Sequence, residues 1–528
     1  MKTRNLFLSL FAFAALCACN KEAQPEVPQI LEEDAYINVS IVSDNLDTRA
    51  ATSPGFSDGA SEENAVTNAL FAFFDNTGKY LYSVSDKEVT WSDAKKDTPA
   101  VERISNAVVV LKRQSITPTQ MVVVLNYGAD IEEYFDDDAS GDINDLDDMY
   151  TFLYTSNLVN NVGGVNYFTM SNSSYWSGGK NAFAAQISDD NIYTMSEKPN
   201  NKTEQEYRDE QTPVEVYVER VAAKLSVVGK PDGTPMSLEL HDGSTLSYYP
   251  VIKKYDFTYT TNASWVCKNI EGLNGSFNSS WPTWTDDNHK RSYWANTYDP
   301  ASFNILKYSE ISGVPHASEA HEVYCHENTT SSPASPVKLI VLASLKDDSD
   351  DSDLEVVRVG TNDYYVVGDL LKAVATEFNN NGTITKSDAS LFTEANFTFV
   401  DSEDPAAASY ESDLALAEGV TLSAGQAEAD NILAKYAKVI YWGKDIYFFT
   451  DVQHFGPEGV GDVGVVRNHY YKLTVTSIKG LGTPYVPGVG GGGEDPIDPV
   501  VPDNVEHELQ AKINILKWKV VNQNVDLQ

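Results

Sequence analysis

Apolar residues recur at every second position near the start of this chain, at Ala35, Ile37, Val39 and Ile41. A period of two places them on one face of an extended backbone, so the pattern predicts a β-strand with one buried face. Similar runs, or runs that are apolar on both faces, continue along the chain. They predict strands at 70–74, from 80 onward, and at 107–111, 121–126, 214–227, 255–259, 337–345, 363–367, 395–400 and 470–478, and a strand and hairpin at 438–450. Residues 167–172 end another ordered segment.

Helical patterns are confined to two short segments, 369–378 and 427–437. Tyrosine is abundant at 29 residues, and Val, Thr and Ser recur in short runs, as in all-β surface proteins. A chain of 528 residues is long enough for two or three domains. The alternation in 214–227 changes phase after Arg220, so we expect the chain to cross between two domains there.

The chain changes character after Gly482. Proline and glycine recur through 483–504, which predicts a flexible linker. Strand-forming sequence then returns over 509–521. A strand attached through such a linker is unusual for a closed domain, and it predicts a strand that pairs elsewhere. Its apolar residues include Ile513, Ile515, Leu516, Trp518 and Val520.

The first predicted strand also lies between flexible segments. Residues 20–34 are polar, and 47–55 is a loop by composition in which Arg49 is accessible to a trypsin-like protease, or is simply a surface residue. A cut after Arg49 would release the strand and leave unpaired N–H and C=O groups in its sheet. Larger apolar side chains contribute about 1.5–3 kcal/mol each on burial. A tail strand from another copy would fill the gap, in a head-to-tail contact that can build a filament.

The N-terminus has the layout of a secretion signal. Lys2 and Arg4 precede an apolar run, 6–16, which is too short to span a bilayer. The stretch 16–19, Leu-Cys-Ala-Cys, predicts a lipobox in which Cys19 becomes the acylated first residue. An ordinary signal peptide that ends near a cysteine is the alternative.

Composition narrows the partners. The formal net charge of −39 disfavours binding to nucleic acid or anionic lipid, because both are polyanions. Beyond the signal region the cysteines are Cys267 and Cys325. They either form one disulfide in an oxidising compartment or remain two separate buried thiols.

Several segments resemble one known family. The late strand 466–482, the tryptophan-containing tail 513–520, the segment 218–224 and the core strand 121–126 are similar to those of the major pilins of Bacteroidetes type V pili. In that family they belong to stalk subunits such as those of the short fimbriae of Porphyromonas. The lipobox and the loop arginine also lie where the family has them, so the resemblance covers nearly the whole chain.

The resemblance implies an all-β fold of two transthyretin-like β-sandwich domains with a few short helices and a C-terminal donor-strand tail. It implies lipid on Cys19, cleavage between Arg49 and Ala50, and loss of the first strand. The donor strand would include Ile513 to Val520. The expected segments are a signal peptide and lipobox at 1–19, a propeptide at 20–49, domains at 50–224 and 225–482, a linker at 483–504 and the tail at 505–528.

One acidic stretch has the spacing of a calcium loop, with oxygen-bearing residues at Asp136, Asp138, Ser140, Asn144 and Asp147. Its last position is Asp rather than the longer Glu, and flanking helices are not evident. We therefore favour a solvated acidic loop and expect no cofactor, with Ca²⁺ as the alternative. Three tryptophans, Trp281, Trp284 and Trp294, either bind glycan or pack in a core.

The sequence thus predicts a non-enzymatic structural pilin of cell-surface fimbriae that mediates adhesion and biofilm formation. Its predicted partners are other copies of itself, accessory tip and anchor pilins, a trypsin-like maturation protease, and host or bacterial surface receptors. It would reach the outer membrane as a lipidated precursor and then join an extracellular fimbrium. The alternative is a monomeric surface lipoprotein that binds glycan or calcium.

Overall fold

The structure is a computed structural model. It describes residues 35–44, 63, 65–86, 92–94, 101–111, 115–135, 143–155, 158–162, 165–177, 180–231, 233–273, 292, 294–296, 303–329, 336–402, 404, 406–408, 410–454, 463–485, 507–513 and 519–524.

Strands dominate the first part of the chain. Their bounds are β1 (Ala35–Asp44), β2 (Ala69–Phe74), β3 (Tyr80–Asp86), β4 (Ser92–Ala94), β5 (Val101–Val110), β6 (Gln120–Leu125), β7 (Leu153–Tyr154), β8 (Val159–Val162), β9 (Val165–Phe168), β10 (Met170–Asn172), β11 (Tyr175–Ser177), β12 (Lys180–Ala182), β13 (Ala185–Gln186), β14 (Ile192–Thr194) and β15 (Val214–Arg220).

Ten of these strands form one sheet in the order β3-β2-β6-β10-β15-β1-β5-β4, with β13 beside β6 and β14 beside β1. The hairpin from β2 to β3 turns at 75–78, where an Asp75 carboxylate oxygen accepts the backbone N–H of Thr77 at 2.8 Å. Gly78 completes the turn with φ +87°, a conformation that glycine adopts without a Cβ penalty.

The central strands of this sheet are buried on both faces. Every residue of β2 is buried. Its side chains alternate between the two faces of the sheet, so Phe71 and Phe74 belong to apolar clusters on opposite faces. Met121 to Leu125 of β6 are buried in the same way. This confirms the prediction of a central strand at 121–126, since only a strand covered on both faces carries an unbroken apolar run.

The rest of the chain adds further sheets. The strands are β16 (Ala223–Val228), β17 (Met236–Glu239), β18 (Thr245–Thr258), β19 (Ser264–Trp265), β20 (His321–Cys325), β21 (Lys338–Asp347), β22 (Asp353–Leu354), β23 (Val356–Val359), β24 (Asp363–Val366), β25 (Thr385–Lys386), β26 (Phe397–Asp401), β27 (Glu411–Leu416), β28 (Leu422–Ala424), β29 (Val439–Trp442), β30 (Asp445–Asp451), β31 (His469–Gly480), β32 (Thr483–Tyr485), β33 (His507–Ile513) and β34 (Lys519–Asn524).

Helices are short. The α-helices are α1 (Ala129–Tyr134), α2 (Glu204–Asp209), α3 (Val367–Asn380) and α4 (Gln426–Leu433), and 3-10 turns occupy Leu146–Tyr150, Asp189–Asn191, Met195–Glu197, Tyr308–Glu310, Glu394–Asn396 and Ala434–Tyr436. The two predicted helices, 369–378 and 427–437, correspond to α3 and to α4 with its following turn. The all-β fold class is also confirmed.

Two sheets of the second part pack face to face. One has the order β20-β16-β31-β33-β34 and the other β17-β18-β21-β30-β32. Leu225 and Tyr471 of the first sheet share one buried cluster with Phe257 and Val341 of the second. Face-to-face burial of two inner surfaces defines a β-sandwich. A third sheet, β24-β23-β29-β27-β26, forms a separate core with α3 and α4.

The run 214–227 breaks where its phase changes. β15 ends at Arg220 in the ten-stranded sheet, and β16 begins at Ala223 in the sandwich. Buried charges surround this crossing. Lys268 Nζ lies 2.8 Å from Glu219 Oε2, and both side chains are almost fully buried.

A second buried ion pair lies nearby, between Arg467 and Glu327, with 2.6 Å between nitrogen and oxygen. Neither side chain has measurable exposure. The guanidinium also donates to the backbone oxygen of Val266 at 2.8 Å. Arg467 therefore joins the segment before β31 to the segment after β19, and each charge relies on the other because water does not reach the pair.

We predict that Glu327→Ala lowers the free energy of unfolding by about 3–5 kcal/mol, because it leaves the Arg467 charge buried and uncompensated. Urea denaturation followed by tryptophan fluorescence measures the change. The matched control is Glu377→Ala, which breaks an exposed ion pair with Lys435 and should have a much smaller effect. Equal effects of the two substitutions would contradict this account of the buried pair.

Candidate strand-exchange site

The predicted removable strand, β1, lies inside the ten-stranded sheet. It pairs antiparallel with β5 from Tyr36–Val110 to Asp44–Val101. On its other side it pairs parallel with β15, from Val39–Val214 to Ser43–Val218, while its first residues pair with β14. We call the space between β5 on one side and β14 and β15 on the other the β1 slot.

β1 is the hydrogen-bonded link across this slot. Within the described residues, β5 pairs only with β1 and β4. Removal of β1 would therefore separate the β4–β5 hairpin from the sheet and open two edges at once. Unpaired backbone groups on both edges favour an incoming strand.

The inner face of the slot is apolar. Ala35 and Ile37 are 1% and 0% exposed, and they share a buried cluster with Val109 of β5 and Val216 of β15. Val39 and Ile41 pair with Val214 and Val216 of β15, and both of these partners are buried. The four predicted positions thus lie along a strand whose neighbours are buried.

The outer face of the slot is partly aromatic. The rings of Tyr36 and Tyr193 stack with their centroids 5.8 Å apart, and the Arg208 guanidinium lies 4.4 Å from the centroid of the Tyr36 ring. Burial raises the pKa of Tyr193 despite the neighbouring Arg208 cation, so this phenol stays neutral at physiological pH. Stacking and the cation–π contact stabilise β1 in its position.

Glu63 holds the chain on the far side of the predicted cleavage site. Its carboxylate accepts Lys224 Nζ at 2.9 Å and the Tyr324 hydroxyl, while its backbone oxygen accepts Arg220 Nε at 2.7 Å. Burial raises its pKa, but the hydrogen bond from Tyr324 and the charge of Lys224 outweigh burial, so the pKa of Glu63 lies below its ordinary value. This anchor does not involve β1.

The predicted donor tail forms two strands in the structure, whereas a single strand was predicted over 509–521. β33 pairs antiparallel with β31, from Gly480–His507 to Leu473–Ile513. β34 pairs parallel with β31 at 469–472, and the two tail strands also pair with each other. The tail thus covers an edge of the chain's own sandwich, which would otherwise present free backbone groups.

Other predicted site residues lie outside the described residues. They are Cys19, Arg49, Ala50, Asp136, Asp138, Ser140, Ile515, Leu516 and Trp518. Ile513 is the last residue of β33, and Val520 lies in β34.

In the described part of the acidic stretch, carboxylates accept hydrogen bonds from neighbouring groups of the same chain. Asp147 Oδ1 accepts the Tyr150 hydroxyl at 2.7 Å, and Asp148 Oδ2 accepts the backbone N–H of Asn144 at 2.6 Å. Contrary to expectation, a helix, α1, directly precedes the stretch, because Ile131 anchors it in the core. No cluster of three or more His, Cys, Asp or Glu residues suited to a metal occurs in the described ranges.

Three further expectations concern buried residues and membranes. Cys267 and Cys325 are free, buried thiols whose pKa burial raises to about 12, so the disulfide alternative is wrong. Trp294 is 5% exposed and lies against His454, which places it in a core rather than at a glycan surface. None of the helices within the described ranges has the length and apolar character needed to cross a bilayer.

Sequence patterns did not identify most of the slot. The run 107–111 marks the end of β5. Its outward positions Val108 and Val110 are 48% and 51% exposed. Because these positions are also apolar, the sequence does not show which face of the strand is buried. β14 is a three-residue strand with no pattern of its own. No sequence pattern marks Glu63 as a buried acid, because its partners Lys224 and Arg220 lie far along the chain.

The C-terminal segment matches one family model. Residues 445–524, which run from β30 to β34, match the model described as "Major fimbrial subunit protein type IV, Fimbrillin, C-terminal". The predicted resemblance to type V pilins is confirmed. The match supports a fimbrial subunit role, and it includes the tail strands and the β31 edge on which they lie.

Comparison with solved structures gave matches of low sequence identity. A candidate cell adhesion protein from Bacteroides eggerthii has 11% identity and a TM-score of 0.36, with 96% of this chain and 98% of that chain covered. A fimbrilin from Porphyromonas gingivalis W83 has 13% identity and a TM-score of 0.32, with 92% and 98% covered. No curated protein sequence matches the chain significantly.

We predict that Ile37→Ala destabilises the intact chain by about 2–5 kcal/mol, because it leaves a cavity in the slot. Thermal unfolding monitored by circular dichroism measures the loss. Val108→Ala, on the exposed face of β5, is the control and should have little effect. After cleavage and removal of β1, the Ile37→Ala protein should match the unsubstituted protein, and a persistent difference would contradict the assignment.

Proposed function

We propose that this protein is a structural pilin subunit that polymerises by strand exchange after proteolysis. It is exported as a lipoprotein through Cys19, cut between Arg49 and Ala50, and joined to the next copy through its tail. The observation that carries the proposal is the position of β1, which alone bridges β5 and β15 within the described residues. The fimbrillin match over 445–524 supports the same function.

Competition for the slot explains why a cut is required. While β1 belongs to the same chain, its effective concentration at the slot exceeds that of any tail in solution. Cleavage turns β1 into a separate peptide that dilutes away once it dissociates. A tail attached to a neighbouring subunit then has the advantage, and its backbone satisfies both open edges.

The subunit has a structural rather than catalytic role in this proposal, with 50–224 and 225–482 as its two domains. The contact is head to tail, so each added copy presents a fresh slot or a fresh tail and the assembly grows as a filament. Further partners are accessory tip and anchor pilins, a trypsin-like protease and surface receptors. The filament would serve adhesion and biofilm formation outside the cell.

We predict that limited trypsin treatment converts the monomer into a ladder of multimers, seen by native electrophoresis and size-exclusion chromatography. Arg49→Ala should stay monomeric, because β1 remains attached. Arg49→Lys is the matched control, since trypsin also cuts after lysine, and it should polymerise. A trimmed monomer from the unsubstituted protein would instead favour a monomeric binding protein.

We predict that deletion of 505–528 gives a folded protein that no longer polymerises after trypsin treatment, because the donor is absent. Circular dichroism and thermal unfolding check the fold. Mixing the truncated protein with the full chain should cap filaments, since its slot still accepts one tail. Filaments made by the truncated protein alone would contradict tail donation.

A further inference from the structure

The tail repeats the sequence of the strand that it would replace. Residues 511–515 are Ala-Lys-Ile-Asn-Ile, and residues 35–39 are Ala-Tyr-Ile-Asn-Val. The Ala, Ile and Asn are identical at matching places, and Val39 differs from Ile515 by one methylene group. Alternation alone would allow registers that differ by two residues, so the repeated order of small and large side chains carries additional information.

We propose that the tail of one copy enters the β1 slot of the next in a single register, with Ala511 at the Ala35 position and Ile513 at the Ile37 position. The tail runs in the direction of β1, antiparallel to β5 and parallel to β15. This inference rests on the proposed function and specifies how the second copy is recognised.

Side-chain volume selects this register. Ala35 and Ile37 are buried at 1% and 0% exposure, so each position accommodates a residue of its own size. A shift of two residues in one direction places Leu509 at the Ala35 position and Ala511 at the Ile37 position, which overfills the first and leaves a cavity at the second.

A two-residue shift in the other direction and a shift of a single residue are also unfavourable. Moving the tail two residues the other way forces Ile513 into the Ala35 position. It also brings Lys517 to the Val39 position, whose partners Ala107 and Val214 are buried. A shift of one residue turns Lys512 toward the core and reverses the whole inner face.

The repeat ends at Ile515, where the apolar phase of the tail changes. An unbroken strand would then place Lys517 at the Ile41 position, beside buried Val216. A one-residue β-bulge after Ile515 restores Trp518 to the inner face, since a bulge sets two residues against one. The register assignment therefore covers 511–515.

The largest difference between the two strands lies at the outward-facing position of Tyr36. β1 supplies Tyr36, which stacks on Tyr193 and lies under Arg208, whereas the tail supplies Lys512. The tail loses both aromatic contacts and brings a second cation near Arg208. The chain's own strand is thus the better ligand for the slot, which agrees with a tail that enters only after β1 has been cut away.

Disulfide trapping tests the register. The backbone N–H of Leu111 donates to the Ala35 oxygen at 2.9 Å, which makes Tyr36 and Val110 a non-hydrogen-bonded pair. By alternation Asn38 and Val108 form the next such pair. The Cα atoms in such pairs lie about 4.5 Å apart, within the range that a disulfide spans.

The experiment mixes two populations of the full chain that each carry one introduced cysteine, so that every disulfide between the two introduced cysteines joins two molecules. Asn514→Cys in one population and Val108→Cys in the other should give a covalent dimer after trypsin treatment and mild oxidation, resolved by non-reducing electrophoresis. Lys512→Cys with Val110→Cys should also link. Both acceptor residues are about half exposed, and the native thiols Cys267 and Cys325 are buried.

The control pairs report other registers. Asn514→Cys with Asn106→Cys, or with Val110→Cys, tests shifts of two residues in the two directions, and neither should give more than a tenth of the yield at Val108. The Arg49→Ala form of each pair should give no link, because β1 still fills the slot.

The outcomes separate the two proposals. Multimers with the strongest link at 514–108 support the register. Multimers with a stronger link at 106 or 110, or with no link at 108, overturn the register and leave polymerisation in place. If trypsin-treated, unsubstituted protein forms no multimers, both the register and the proposed function fail.

Discussion

The structure depends on two-sided backbone pairing of β1. This strand joins β5 to β15 in one ladder on each side, so the β4–β5 hairpin has no other hydrogen-bonded connection to the sheet within the described residues. A strand in such a position contributes more than its own apolar surface, because its loss exposes two rows of donors and acceptors. In the proposed assembly, the pairing that closes the intact sheet is also what would make the shortened chain a receptor for another strand.

The anchor at Glu63 and the core of the sandwich that carries the tail do not involve β1. Glu63, bound by Arg220, Lys224 and Tyr324, fixes the chain beyond the predicted cut to the point where β15 leads into β16. These contacts belong to the crossing between sheets rather than to the slot. Loss of β1 would remove none of these partners, and the apolar cluster of the sandwich that carries the tail contains no residue of β1. At the other end the tail pairs with β31, so the proposed donor strand covers an edge of its own sandwich.

Local sequence patterns were enough to predict some of the strands and helices. Alternation at 35–41 and the unbroken apolar run at 121–126 identify strands because each depends only on neighbouring residues, and helix 369–378 follows from the same kind of signal. The partners of β1 could not be predicted, since residues 101–110 and 214–220 meet 35–44 only through the fold. Buried Arg467 and Glu327 are likewise separated along the chain, and the burial of the two cysteines as separate thiols depends on tertiary contacts.

The near identity of 35–39 and 511–515 limits how much free energy strand exchange in the proposed assembly can gain from side-chain contacts. If 511–515 fill the positions of 35–39 with almost the same side chains, the apolar burial that the tail gains at these positions equals that lost with β1 to within about one methylene group. Exchange between them is then close to neutral in contact energy, with the Tyr36 contacts favouring β1. The driving force must come from the covalent cut, which removes the intramolecular advantage of β1. In the proposed assembly, a slot matched to both strands would let proteolysis, rather than a difference in affinity, decide when the filament grows.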